Sequence, residues 1–545
     1  MNITGTTGND TLTGSATDDV IDGLAGNDTL NGLAGNDALN GSDGNDLLSG
    51  GSGNDTLNGG AGFDAVTYSS TDNDGGTKQP TGSGVNVNLQ AGTATDNWGD
   101  TDTLISIEII TGSRLDDILT GGNPANGSSA TDGFEGFRGL AGNDTINGGT
   151  GYDRAYYDTS PTGVVVTLGG LGNGTASDGF GGTDTLISIE EVFGSNHDDI
   201  LTGSADATLY ESFEGRAGND TIDGKGGQNR ASYDTSPAAV SVNLSTGIAQ
   251  DGWGGTDSLA NITEVRGSAY NDTIVGDANS NLVEGRNGDD NMDGGAGFDW
   301  LLYHNSSGNV IVNLALGTAT GAAGNDTFTS FEGVRGSAFA DTLTGDAMNN
   351  WFRGDAGDDV IDGGAGRDTA QYINSRTAYT VTKTSTGLTV TSTAEGTDTL
   401  VNIERLAFRD ERVAFDTDGS AGTTALLLGA LAGRTALQNK ALVGTVVGLV
   451  DGGMTLSGLA DLAVANGIVS SLAGGADNTS FAKLLLRNIL GSDTDTTLVD
   501  TLSGLITAGT YTQAAMLAAA AQLDANKVSV DLVGLAQSGL VYTPV

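Results

Sequence analysis

The sequence predicts a mainly β protein: a right-handed parallel β-roll or β-solenoid of nonapeptide and longer repeats, followed by a small all-α C-terminal domain. Three observations point there. A nine-residue glycine and aspartate repeat opens the chain, a longer repeat of strand-like segments follows it, and the composition changes near Asp418.

The nonapeptides come first. Seven units run without a slip, with aspartates at Asp10, Asp19, Asp28, Asp37, Asp46, Asp55 and Asp64. Two places after each comes an aliphatic residue: Leu12, Ile21, Leu30, Leu39, Leu48, Leu57 and Val66. Gly5, Gly14, Gly23, Gly32, Gly41, Gly50 and Gly59 open the units, and second glycines stand at Gly8, Gly26, Gly35, Gly44, Gly53 and Gly62, with Thr17 replacing one. A six-residue turn such as GLAGND needs glycine at positive φ, and the three-residue strand behind it points its aliphatic side chain inward. Two units then close one coil of about eighteen residues, and coils stack at about 4.8 Å. Asp10, Asp28, Asp46 and Asp64 should line one edge of the roll; Asp19, Asp37 and Asp55 should line the other.

The charge sharpens this reading. Twenty-two basic against sixty-nine acidic residues give a net charge of −47. Such a chain repels itself on compaction unless a cation neutralises the carboxylates where they converge, and it is a poor partner for nucleic acid. Stacked carboxylates together with turn carbonyls suit calcium, which takes six to eight oxygens; magnesium demands a stricter octahedron, and zinc prefers nitrogen or sulfur. Cysteine is absent, so no disulfide or thiolate site can staple the fold.

Units such as GGSGNDTLN (Gly50 to Asn58) and GGAGFDAVT (Gly59 to Thr67) resemble the RTX nonapeptide. The resemblance implies parallel β-rolls with several calcium ions held in the turns. It also implies export by type I secretion machinery, directed by an uncleaved C-terminal signal. The N-terminus MNITGTTGNDTLTG has neither the basic segment nor the apolar run of a Sec-type signal peptide, in keeping with that expectation.

Behind this first segment, residues 1–70, lies a second, 71–417, expected to hold four to five longer solenoid modules. Asp102, Asp184, Asp257, Asp326 and Asp398 mark them in phrases such as TDTLISIE, each preceded by an alternating segment such as GVNVNLQAGTA and followed by G-S-x-x-x-D-x-[IL]. Alternation of apolar and polar residues argues half-buried strands. Further calcium turns are expected at Asp144, Asp153, Asp220, Asp272, Asp290, Asp299, Asp341, Asp359 and Asp368, whereas Asn229 stands where an aspartate is expected.

Residues 418–545 form the third segment, rich in alanine, leucine and glycine. Apolar spacing predicts helices over Thr423 to Arg434, Asn439 to Val450, Thr479 to Leu490, Thr496 to Thr507 and Thr512 to Ala525, packed as a small bundle. The stretch FAKLLLRNILG, with the chain behind it, resembles the DUF4214 helical domain. The family places a secretion signal in the final segment, here about Asn488 to Val545. The longest apolar stretches fall short of a membrane span.

The two histidines, His197 and His304, are followed by Asp198 and Asn305 and so form no H-E-x-x-H; neither a G-x-S-x-G elbow nor a phosphate loop occurs. The expectation is therefore a non-enzymatic, secreted, calcium-binding structural or adhesive surface protein. An S-layer subunit, surface fibril or biofilm matrix component would fit, folding and self-assembling into an oligomer, lattice or filament, with cell-surface polysaccharide as a further partner. The rival readings are a polysaccharide-modifying enzyme and a monomeric binding protein on the same scaffold.

Overall fold

A computed structural model describes residues 1–69, 81–122 and 133–544. The segment boundary expected at residues 70 and 71 lies outside them. The chain divides into two compact units, Met1–Trp300 with Asp326–Ser330, and Leu301–Asn325 with Phe331–Val545.

In the first unit the nonapeptides coil as their spacing demands. Ile3, Ile21, Leu39 and Leu57 stand in parallel register on one sheet, and Leu12, Leu30, Leu48 and Val66 on the other. Ile21, Leu30, Leu48, Leu57 and Val66 are fully buried, each burial contributing about 1.5–3 kcal/mol. The strands Val20–Ala25, Thr29–Ala34, Ala38–Asp43, Leu47–Ser52 and Thr56–Ala61 are six residues long, twice the expected length. The first half of each turn stays in register with the coil beside it, as in Leu24 opposite Ser42 and Ala25 opposite Asp43.

The longer modules are more than widened coils. Asn86–Asn88, Thr93–Thr95 and Thr101–Ile105 fold back as an antiparallel meander, with Gly92 at φ 65° in the first bend. The third strand then rejoins the parallel stack, setting Leu104 against Leu57. The same arrangement recurs at Val165–Thr167, Asn173–Ser177 and Thr183–Ile187, and again at Ser241–Asn243, Ile248–Gln250 and Thr256–Ala260. The alternating segment thus contributes a hairpin. A left-handed glycine lets the chain reverse within a few residues, and the reversal keeps Val87 and Ala94 on the same buried face.

The second unit repeats the pattern, with Val312, Leu343, Ile361 and Leu400 in one parallel ladder and Val334, Phe352, Ala370 and Leu406 in another. The second ladder ends in antiparallel strands Arg405–Ala407, Arg412–Ala414 and Leu540–Tyr542. The chain's last strand therefore covers a sheet edge that would otherwise present open backbone groups. Between these strands lies the helical region. Helices Ser420–Ala432, Lys440–Asp451, Asn478–Leu490, Thr496–Thr507 and Gln513–Ala521 occupy the five expected spans. Leu456–Ala465, Ile468–Ala473, Asp524–Ser529 and Leu532–Ser538 are further helices, which the short, glycine-interrupted pattern did not reveal. Their core gathers Leu428, Val443, Phe481, Leu485 and Leu517. Among the described residues, no helix is long and apolar enough to cross a membrane.

Candidate metal centres

The nonapeptide turns from Gly23 to Asp64 are each shaped by two residues of positive φ. In the Gly23 to Asp28 turn these are Leu24 at 80° and Gly26 at 117°; in the Gly41 to Asp46 turn they are Ser42 at 83° and Gly44 at 136°. A Cβ on Gly44 would collide with the Gly26 carbonyl of the coil below, so close stacking as well as φ requires glycine there. Gly35, Gly53 and Gly62 share this conformation.

Stacking ties the aspartates into two ladders. Asp10 N–H donates to Asp28 Oδ1 (2.7 Å), Asp28 N–H to Asp46 Oδ1 (2.7 Å), and Asp46 N–H to Asp64 Oδ1 (2.8 Å). On the other edge Asp19 N–H donates to Asp37 Oδ1 and Asp37 N–H to Asp55 Oδ1. The eighteen-residue neighbours expected from the sequence are thus hydrogen-bonded partners. One oxygen of each carboxylate is consumed by the backbone.

The second oxygen is the open one. Oδ2 of Asp28, Asp37, Asp46, Asp55, Asp64, Asp144, Asp220, Asp290, Asp359 and Asp368 is buried with no hydrogen-bond donor. Asp153 and Asp299 sit in turns of the same shape, with Gly151 at φ 149° and Gly297 at 136°. An unpaired buried carboxylate oxygen is costly. Burial raises Asp37 from 3.8 to about 6, Asp64, Asp290 and Asp368 to about 7, and Asp55, Asp144, Asp220 and Asp359 to about 8, with neighbouring carboxylates adding to the effect. Each of these carboxylates is held towards its neutral form unless a positive charge stands beside it.

Main-chain oxygens stand ready to share it. The point where Gly32 would carry a Cβ lies 2.5 Å from Asp37 Oδ2 and 2.6 Å from the Gly50 carbonyl of the next coil. Carboxylate and main-chain carbonyl oxygens are therefore neighbours in the turn, and both are donors that calcium accepts. Among the described residues no three acidic, imidazole or thiolate side chains converge on one metal. A bound ion would therefore draw on one carboxylate oxygen per turn together with carbonyls, a donor set made wholly of oxygen. That set fits calcium and suits zinc poorly.

Four of the expected ligands differ. Asp10 Oδ2 accepts Thr6 N–H (2.5 Å) and the Thr6 hydroxyl (2.9 Å), and Asp19 Oδ2 accepts Ser15 N–H and the Ser15 hydroxyl. Asp272 and Asp341 are closed in the same way, taking N–H on Oδ2 and the hydroxyl on Oδ1 from Ser268 and Ser337. Asp117 and Asp199 in the other G-S-x-x-x-D phrases follow suit with Ser113 and Ser195. A hydroxyl and an amide here supply the donors that an ion would otherwise replace. Gly8 and Thr17 accordingly lack the positive φ of their counterparts. Asn229 closes its turn from the other side, its Nδ2 donating to the Gly226 and Asn261 carbonyls at 3.0 and 3.2 Å.

Spacing alone assigns no role to the aspartates that mark the long repeat. They are rungs: Asp55 N–H donates to Asp102 Oδ1, Asp144 to Asp184, Asp220 to Asp257, Asp290 to Asp326 and Asp359 to Asp398. Oδ2 of Asp102, Asp184, Asp257 and Asp398 accepts the hydroxyl of Tyr68, Tyr157, Tyr233 and Tyr372. The likeness of GGTDTL to GGSGNDTL was the available signal.

Fold and turns together define a β-solenoid whose stacked acidic bends are built for hard cations. A family model described as RTX calcium-binding nonapeptide repeat, in four copies, matches residues 4–39, 31–66, 132–156, 212–231, 266–301 and 335–370. Over these stretches the chain is an RTX calcium-binding nonapeptide repeat, and the ion implied is Ca2+. No curated protein matches the chain.

Proposed function

We propose that this protein is a secreted, non-enzymatic structural or adhesive component of a bacterial surface, an S-layer, fibril or matrix subunit that folds and self-assembles on meeting extracellular calcium. The observation that carries this reading is the row of buried, donorless Oδ2 atoms in stacked turns. Where calcium is scarce the carboxylates repel and the chain stays extended enough to thread a type I secretion channel. At extracellular concentrations, sites with dissociation constants of roughly 0.1–1 mM fill and fold the roll. A scaffold role is supported by how the acids are used: one oxygen of each rung binds the backbone of a neighbouring coil. Electron microscopy before and after millimolar calcium tests assembly. Ordered sheets or fibres are expected, and dispersed single particles at every calcium level would refute it.

One observation favours carbohydrate as a partner. A recess of about 500 Å³ in the first unit is lined by Gln228, Thr263, Asn281, Phe298 and Trp300, the two rings 6.2 Å apart. Aromatic faces flanked by amides suit sugar rings. Glycan-array binding by the calcium-loaded protein, lost in Trp300→Ala, would support adhesion; turnover of a polysaccharide would favour an enzyme instead.

A further inference from the structure

Asp144 and Asp220 stand in open nonapeptide turns that are followed on their edge by a meander, their amides reaching Asp184 and Asp257. At Gly32 the next coil brings a glycine carbonyl beside the aspartate, but at Gly139 and Gly215 the three nearest atoms all belong to the turn's own Asp144 or Asp220 side chain. Like the turns at Asp55, Asp290 and Asp359, these have an aspartate of the longer repeat as their next rung. What stacks on them is the far end of the meander, with Thr183 N–H donating to Asn143 Oδ1 and Thr256 N–H to Asn219 Oδ1, both at 3.1 Å.

Each meander carries an acid at that place. Asp178 Oδ1 accepts the amides of Phe180, Gly181 and Gly182, all at 2.8 Å. Asp251 Oδ1 accepts those of Trp253, Gly254 and Gly255 at 2.8 to 2.9 Å. Three donors on one oxygen lock the carboxylate's direction. The other oxygen is buried in both residues, neither side chain being exposed, and it has no donor. It faces the turn below: a Cβ on Gly182 would lie 2.8 Å from Asp178 Oδ2 and collide with the Gly142 carbonyl. At Gly255 the pair is Asp251 Oδ2, at 2.7 Å, and the Gly218 carbonyl. The local sequences DGFGGTD and DGWGGTD fall outside the stretches that match the nonapeptide model.

We propose that Asp178 and Asp251 each complete a divalent-cation site on an open turn that a meander follows, joining Asp144 and Asp220 respectively. Such a site sets two carboxylates about one ion where the interior turns set one. Added ligand charge tightens binding by such hard cations, and these sites fill at about tenfold lower calcium than the interior turns. The inference rests on calcium binding by the nonapeptide turns and goes beyond it, to the order of filling and to residues outside the repeat.

Terbium provides the probe, because Trp253 belongs to the Asp251 loop and can sensitise its emission. In the full-length protein, tryptophan-sensitised emission should rise in the earliest phase of a terbium titration. Asp251→Asn should remove amplitude from that phase and lower the calcium retained in limiting calcium by one ion per chain. Trp253→Phe, the residue type that stands at Phe180, should lose the same amplitude while keeping the ion. An Asp251→Asn protein with wild-type far-UV circular dichroism and an unchanged early phase would overturn the proposal. So would undiminished early emission in Trp253→Phe, a result that holds even if the asparagine variant fails to fold. Wild-type protein that retains no calcium at all would instead overturn the underlying reading of the turns.

Discussion

Removing calcium at neutral pH should unfold the roll, and acid should restore it. Asp55, Asp144, Asp220 and Asp359 are each buried and each raised from 3.8 to about 8. At 1.36 kcal/mol per pKa unit, ionising one of them inside the ion-free fold costs at most about 6 kcal/mol. A few such groups equal the whole stability of an ordinary domain, about 5–15 kcal/mol. The sign follows from the direction of the shift: between pH 4 and 8 the folded state holds protons that the unfolded state has released. The stabilisation is therefore complete below the unfolded value and is lost as pH rises through the folded one. Far-UV circular dichroism in excess EGTA should show β-structure near pH 5, with a loss centred between about pH 6 and 8 in line with the shifted values. In millimolar calcium the signal should stay flat across that range. Unchanged β-structure and melting at pH 8 in EGTA would refute the claim that these carboxylates require a counter-charge.

Other perturbations separate the parts of the design. Asp46→Ala should delete one interior ion and lower the calcium-loaded melting temperature by several degrees, whereas Asp46→Asn should lose the ion at a smaller stability cost, because Asn229 shows that an amide can close such a turn; calorimetric titration and melting read both. Ser268→Ala should cost about 1–3 kcal/mol in urea unfolding by stripping Asp272 of a donor, and should raise the number of bound calcium ions, whereas an unchanged midpoint would deny that the hydroxyl closes the turn. Gly44→Ala adds a Cβ at φ 136° against the Gly26 carbonyl and should destabilise the loaded roll by more than about 2 kcal/mol in the same assay.

Much of this molecule was legible in the chain. Coil length, the inward Leu30, Leu48 and Val66, and the pairing of Asp28 with Asp46 followed from counting by nine and eighteen, because a repeat that never slips leaves stacking in register as the way to bury every aliphatic residue at once. Lys440–Asp451, Asn478–Leu490 and Thr496–Thr507 were legible because their apolar residues fall on one stripe, whereas Ser420–Ala432 is buried on nearly every side and showed only as an apolar run.

The turns were not fully legible. Asp10, Asp272 and Asp46 share one place in the count, yet Thr6 and Ser268 close the first two while the third stays open. Spacing alone could not tell these turns apart, because the choice depends on whether the second residue of the turn takes a negative φ and aims its amide at the carboxylate. Nor could spacing reveal Asp178 and Asp251, which reach the stack only after a hairpin has folded back upon it. By itself, the sequence determined the period of the coil, its buried strip and the acidic character of its bends, since those follow from residue types recurring in phase. Tertiary structure alone decided which carboxylates find donors inside the protein and which remain to be met by a cation, since hydrogen bonding in a turn depends on backbone angles and on the coil stacked against it.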